Sequence, residues 1–137
     1  MAVFQKYQNG VEVLVTTANA STDSFKLALT NTAPNAATHT VLADITEIAA
    51  GNGYVAGGLT VAVTGSEATG TYTLAQDATV TLTATGGTIG AFRYVVFYDD
   101  TIAGDPLLSY FDYGSSITLN DTETFAMGAA ATLFTVA

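Results

Sequence analysis

The chain has 137 residues, of which 49% are apolar and only 11% charged, a mixture that can build a core and excludes wholesale disorder. Three basic residues against twelve acidic ones give a net charge of -9, which repels phosphate and argues against nucleic acid as a partner. Cysteine is absent, so no disulfide can staple the chain, and the length suits one domain over 1–137.

No membrane partner is expected, because no stretch approaches the ~20 consecutive apolar residues of a span; the longest apolar stretches sit at 94–98 and 126–131. Met1-Ala2-Val3-Phe4-Gln5-Lys6 also lacks the basic start and apolar core of a signal peptide, so synthesis in the cytoplasm is expected.

Two patterns compete in 1–17. Phe4, Tyr7, Val11 and Leu14 recur at helical spacing, but Gly10 interrupts that pattern, and Val11, Val13 and Val15 alternate as a strand would. The segment is either an N-terminal helix packed over its own sheet or an arm that orders on a neighbour. Phe25-Lys26-Leu27-Ala28-Leu29-Thr30 alternates next, with Phe25, Leu27 and Leu29 facing inward. Asp44 and Glu47 have the spacing of a capping box, which predicts a short helix near 45–50 ended by Gly51 and Gly53.

Threonine then dominates: 24 residues of the chain are of this type, and its β-branch favours a pleated surface over a helix. Leu59-Thr60-Val61-Ala62-Val63-Thr64 predicts one strand stopping at Gly65, and Thr71-Tyr72-Thr73-Leu74 a shorter one after Gly70. Thr79-Val80-Thr81-Leu82-Thr83-Ala84-Thr85 has period two over its whole length, with Val80, Leu82 and Ala84 on one face, before a turn at Gly86-Gly87. Phe92-Arg93-Tyr94-Val95-Val96-Phe97-Tyr98 is apolar or aromatic on both faces apart from Arg93, the mark of a strand covered on both sides and central in its sheet. Leu107-Leu108-Ser109-Tyr110-Phe111 is its expected hairpin partner; Ile117 and Leu119 precede a turn at Asn120-Asp121, and Leu133-Phe134-Thr135-Val136 closes the series. Short strands separated by Gly, Asn and Asp predict a mainly β, single-domain antiparallel β-sandwich or small barrel.

Chemistry-bearing patterns are sparse. His39 is the sole histidine, and with no cysteine beside it a transition-metal site lacks its usual ligands; an exposed loop position is expected. Ser66, Ser115 and Ser116 lack the Gly-x-Ser-x-Gly spacing of a nucleophile elbow. Gly51-Asn52-Gly53 and Gly57-Gly58 have no following lysine, as a phosphate loop requires. Asp99, Asp100 and Asp105 crowd one loop with Asp112 farther on; a hard cation such as calcium is the alternative to a solvated acidic turn there, although the EF-hand spacing fails at Thr101 and Ala103. Nothing positions two carboxylates as a glycosidase pair. Arg93, inside an apolar strand, is expected to pair with Asp99, Asp100 or Asp112. No catalytic, cofactor or metal residue is therefore assigned, and no enzymatic activity is expected.

Four stretches resemble a family of small virion proteins encoded by tailed phages and prophages: Leu27-Ala28-Leu29-Thr30-Asn31-Thr32-Ala33-Pro34, the more specific Leu42-Ala43-Asp44-Ile45-Thr46-Glu47-Ile48-Ala49-Ala50-Gly51-Asn52-Gly53-Tyr54, Thr85-Gly86-Gly87-Thr88-Ile89-Gly90-Ala91-Phe92-Arg93-Tyr94, and Asp112-Tyr113-Gly114-Ser115-Ser116-Ile117-Thr118-Leu119. The resemblance spans Phe25 to Leu119 and implies a structural component with no active site to carry over. The expectation is a capsid decoration (cement) protein on the virion surface, with the major capsid protein as partner and a homo-oligomer such as a trimer as its assembly. A tail or fibre-associated module is the alternative. A carbohydrate-binding module, third, would expose Tyr94, Tyr98, Tyr110 or Tyr113.

Overall fold

The computed structural model describes residues 4–127 and 132–136. Among them the alternating segments are strands, because branched and aromatic side chains fill a pleated surface well. In chain order the elements are β1 (Gln5–Lys6), α1 (Gln8–Thr16), β2 (Phe25–Thr30), a 3-10 turn (Leu42–Asp44), β3 (Leu59–Val61), β4 (Val63–Ala68), β5 (Thr71–Gln76), β6 (Val80–Thr83), β7 (Ile89–Asp99), β8 (Leu107–Leu119), β9 (Thr124–Met127) and β10 (Thr132–Val136). They form a five-stranded sheet ordered β1-β8-β7-β2-β3, a three-stranded sheet β10-β5-β4 and a ribbon β6-β9. Every strand pairing is antiparallel. The sheets keep separate edges, so of the two expected architectures the sandwich-like one is found.

All three sheets feed one core. Phe25, Leu27 and Leu29 of β2 meet Val95 and Phe97 of β7, Leu74 of β5, Leu82 of β6 and Phe134 of β10, and the Phe25 and Phe97 rings stack at 5.4 Å. On the far face of the large sheet Ala28, Val96 and Tyr98 form a second cluster with Tyr7 and Leu107, roofed by Leu42 and Ile45. β2 and β7 are thus covered on both sides, which is why 92–98 carries no polar face and why β7 lies in the middle of its sheet, as its composition predicts. It is also why Ala28 and Thr30 are buried, although simple alternation in β2 turns them outward.

The N-terminal segment resolves in favour of the helix: α1 packs against its own β8. Gly10 permits the approach, since a Cβ there would sit 2.7 Å from the Leu108 carbonyl oxygen and 3.0 Å from its Cα. Residues 1–3 of that segment, and 128–131 of the apolar stretch 126–131, lie outside the described residues.

Three expectations change. The short helix near 45–50 is a single 3-10 turn at Leu42–Asp44, and the chain beyond it is extended. Asp44 Oδ2 accepts from the Thr40 and Val41 amides at 2.8 and 3.2 Å, so it caps backward, and Glu47 bridges to Thr30. β3 is so short that it leaves the end of β2 without a partner, and 46–48 takes its place: Ile48 N–H donates to Leu29 O at 3.0 Å. Tertiary demand for a strand partner overrides the local capping signal. The single strand over 59–64 is two, because the chain leaves one sheet and enters the other at Ala62. Gly65 does not end β4 but lies within it, covered by the Tyr72 side chain. β9, four residues long, carries no pattern that distinguishes it in the sequence.

Replacing Gly10 by alanine tests the helix–sheet contact. Alanine gains about 1 kcal/mol in helix propensity, but overpacking against backbone that cannot rotate away costs about 1–3 kcal/mol. Gly10→Ala is therefore expected to lower urea-unfolding stability. Gly90→Ala, where a Cβ meets nothing within 4 Å, is expected to be neutral or stabilising.

Candidate functional site

The best-knit polar network lies where 45–58 folds across the edge of β2. The Tyr54 hydroxyl donates to Glu47 Oε2 at 2.5 Å and accepts from the Leu29 amide at 3.0 Å. Glu47 Oε2 also accepts from Gly57 N–H at 2.7 Å, and the Tyr98 hydroxyl donates to Gly57 O at 2.5 Å. Burial, reinforced by the bond to Glu47, pushes the Tyr54 hydroxyl well above its ordinary pKa. Tyr54 is 2% exposed, so the cluster offers no access to a substrate and serves as a clasp. Gly58 belongs to it: at φ 90° a side chain there would collide with the Leu27 carbonyl. The glycine-rich stretch therefore supports close approach to β2 as well as turns.

The other residues singled out by chemistry are dispersed. His39 is half-buried and uses Nδ1 to accept from the Asn35 amide at 3.1 Å, closing a local turn. Ser66 is exposed on β4; Ser116 donates to Asn31 Oδ1 at 2.7 Å. Of the acidic loop, Asp99 is fully buried with Oδ1 accepting from the Thr101 and Ile102 amides at 2.9 and 3.3 Å. Asp100 pairs with Lys26 at 3.3 Å. Among the described residues no group of three or more His, Asp or Glu is arranged to hold a metal ion.

Arg93 takes Asp112 from its three candidates. Nε and a terminal nitrogen donate to the two carboxylate oxygens at 2.8 and 3.1 Å, a fork geometry suited to arginine. The hydrogen bond from Arg93, with one from the Gly114 amide, holds the Asp112 carboxyl below the usual carboxylate range. The pair lies at the surface, at 38% and 33% side-chain exposure, where solvent screens it. Arg93 also stacks over Tyr94 at 5.4 Å.

Contact surfaces are more distinctive. Two β10 carbonyls accept from side chains of the large sheet: Leu133 O from Ser109 Oγ at 2.6 Å and Thr135 O from Lys6 Nζ at 3.1 Å. At the opposite edge of the same sheet β4 pairs, among the described residues, only with β5. Four of its six residues are exposed, and Glu67 is the one charged side chain guarding the edge, which carries neither lysine nor proline. Beside it an open hollow of about 260 Å³ is lined by Leu14, Val15, Ala18, Ala20, Tyr72 and Val136. Tyr72 joins the two features, lining the hollow and lying over Gly65, and Val15 is 69% exposed. Sequence reasoning recognised the strands but not the edge, because only sheet order shows which strand lacks a second neighbour.

Comparison with protein-family models, curated proteins and solved structures finds no match to this chain.

Removing the Tyr54 hydroxyl leaves a buried amide without its acceptor and the half-buried Glu47 carboxylate with only the Gly57 amide as donor. Tyr54→Phe is therefore expected to cost about 1–3 kcal/mol in denaturant unfolding. Glu47→Gln keeps an acceptor oxygen for both bonds and should cost less, while Arg93→Ala should shift the melting temperature less than either.

Proposed function

We propose that this chain is a non-enzymatic structural protein of a bacteriophage virion, a decoration protein that stabilises the capsid from outside by contacts to the major capsid protein. The observation that carries a contact-based role is the lightly guarded β4 edge, with Glu67 as its one charge, joined through Tyr72 to an open apolar hollow. An edge of this kind accepts a strand from a partner through main-chain hydrogen bonds, and adjacent apolar positions provide anchoring. The phage setting comes from the sequence resemblance, strongest over Leu42–Tyr54. In this reading the protein occupies the virion surface and assembles as a cyclic homo-oligomer, a trimer being the form that suits a threefold shell position.

A tail or fibre-associated module is the second reading, since the same surface would serve a low-copy position equally well. Glycan binding has less support. Tyr98 is buried, Tyr94 and Tyr110 pack edge to face at 6.4 Å, and of the four tyrosines only Tyr113 is strongly exposed, at 51%.

Quantitative mass spectrometry of purified virions should find this chain in a simple ratio to the major capsid protein. A few copies per particle would move it to the tail, and absence would reject both readings. Ser66→Lys, on the exposed side of β4, should weaken binding to undecorated shells at least about tenfold, or 1.4 kcal/mol, without changing the melting temperature.

A further inference from the structure

We propose that Asp23 and Asp99 share one proton, and that this proton latches the loop 17–24, a wall of the apolar hollow, against the turn between β7 and β8. Asp99 is 0% exposed, and its Oδ2 meets no hydrogen-bond donor. Its side-chain neighbour is the carboxyl of Asp23, whose Oδ2 accepts from the Asn19 amide at 2.9 Å. Two carboxyl groups can bond only if one carries a hydrogen, and the buried one keeps it because burial disfavours charge.

Around that proton the loop and the turn are stitched together. Ser24 N–H donates to Thr101 Oγ1 at 2.7 Å, and Asp100 N–H donates to Ser24 O at 2.8 Å. Among the described residues no cation offers compensation. The β2 residue opposite Asp99 is Phe25; Lys26, also on β2, is engaged by Asp100; and the turn itself contributes only further acids, Asp100 and Asp105. Burial first, and then the bond to Asp23, pushes the Asp99 carboxyl up to about 7, while the bond from Asp99 and that from Asn19 hold Asp23 below the ordinary range.

The sign follows from proton linkage. Between the ordinary carboxylate value and about 7 the closed loop holds a proton that the opened loop has released, so closure weakens as pH rises through that window and levels off above it. Asp23, shifted the other way, loses its contribution only in stronger acid. Ala18 and Ala20 of this loop line the hollow, so opening remodels one of its walls. That consequence for shell contact rests on the reading above; the latch itself is tested on the free protein, so the two can fail separately.

The test is amide hydrogen exchange at Ser24 and Asp100, with melting curves, from pH 5 to 9. After correction for intrinsic exchange, the opening equilibrium of the wild type should grow about tenfold per pH unit up to about 7 and then plateau. Asp99→Asn, whose amide can donate to Asp23 at any pH, should abolish the rise and melt above the wild type at pH 8. A carboxyl-carbon NMR titration of the wild type supplies a second readout that depends on no variant. A rise that persists in Asp99→Asn, or an Asp99 carboxyl that titrates in the ordinary range, would overturn the proposal. So would a rise in wild-type melting temperature with calcium chloride at pH 8 that Asp99→Asn lacks, since the pair would then hold a cation rather than a proton.

Discussion

Covering β2 and β7 on both faces is the constraint on which the rest of the molecule depends. One face is met by the strands of the smaller sheets, and the other has no sheet to meet it, so Tyr7 and the chain around Leu42 and Ile45 are drawn across it. Irregular chain can lie there only if its own backbone polar groups, and those of the strand it covers, find partners. The Tyr54–Glu47 clasp does this at the end of β2, where β3 has already run out. Gly10 and Gly58 serve the same demand from opposite ends, by letting backbone approach backbone more closely than any side chain allows.

With only three basic residues, the placement of each is informative. Lys6 reaches across to β10 and lies 5.8 Å from the Phe134 ring, Lys26 ties β2 to the turn after β7, and Arg93 joins β7 to β8. Lys6 and Lys26 join elements remote in sequence, whereas Arg93 ties two consecutive strands together. Of the remaining acids, Glu47 is tied into the clasp and Asp99 is buried beside another acid, while most of the others face solvent. Among the described residues the β4 edge, with Glu67 as its one charged side chain, and the apolar hollow are the places where close contact costs least desolvation.

Period-two patterning located β2, β5, β6, β7 and β10 because one strongly apolar face is enough to reveal a half-buried strand, and a doubly apolar run to reveal a central one. Arg93 was legible as an ion pair, but Asp112 was not distinguishable from Asp99 or Asp100, since choosing among them requires the register of β7 on β8. The Asp44–Glu47 signal misled for a related reason: both carboxylates do accept backbone amides, but Asp44 does so at its own 3-10 turn while Glu47 is held at the edge of β2 and accepts from Gly57. Tyr54 carried no sign of its role, as a tyrosine beside a glycine turn looks the same whether its hydroxyl meets solvent or a buried amide.

By itself the sequence determined the class of fold, because side-chain branching and alternation act within a few residues, and they decide strand against helix before any distant contact forms. It also determined the acidic character of the surface and the lack of thiol chemistry. Only the tertiary structure decided the sheet order, the free edge at β4, the hollow joined to it through Tyr72 and the burial of Asp99 against Asp23. Those depend on which strands become neighbours across tens of residues, and many such arrangements satisfy the same local pattern; the one adopted is that in which β2 and residues 95–99 of β7 are covered on both faces.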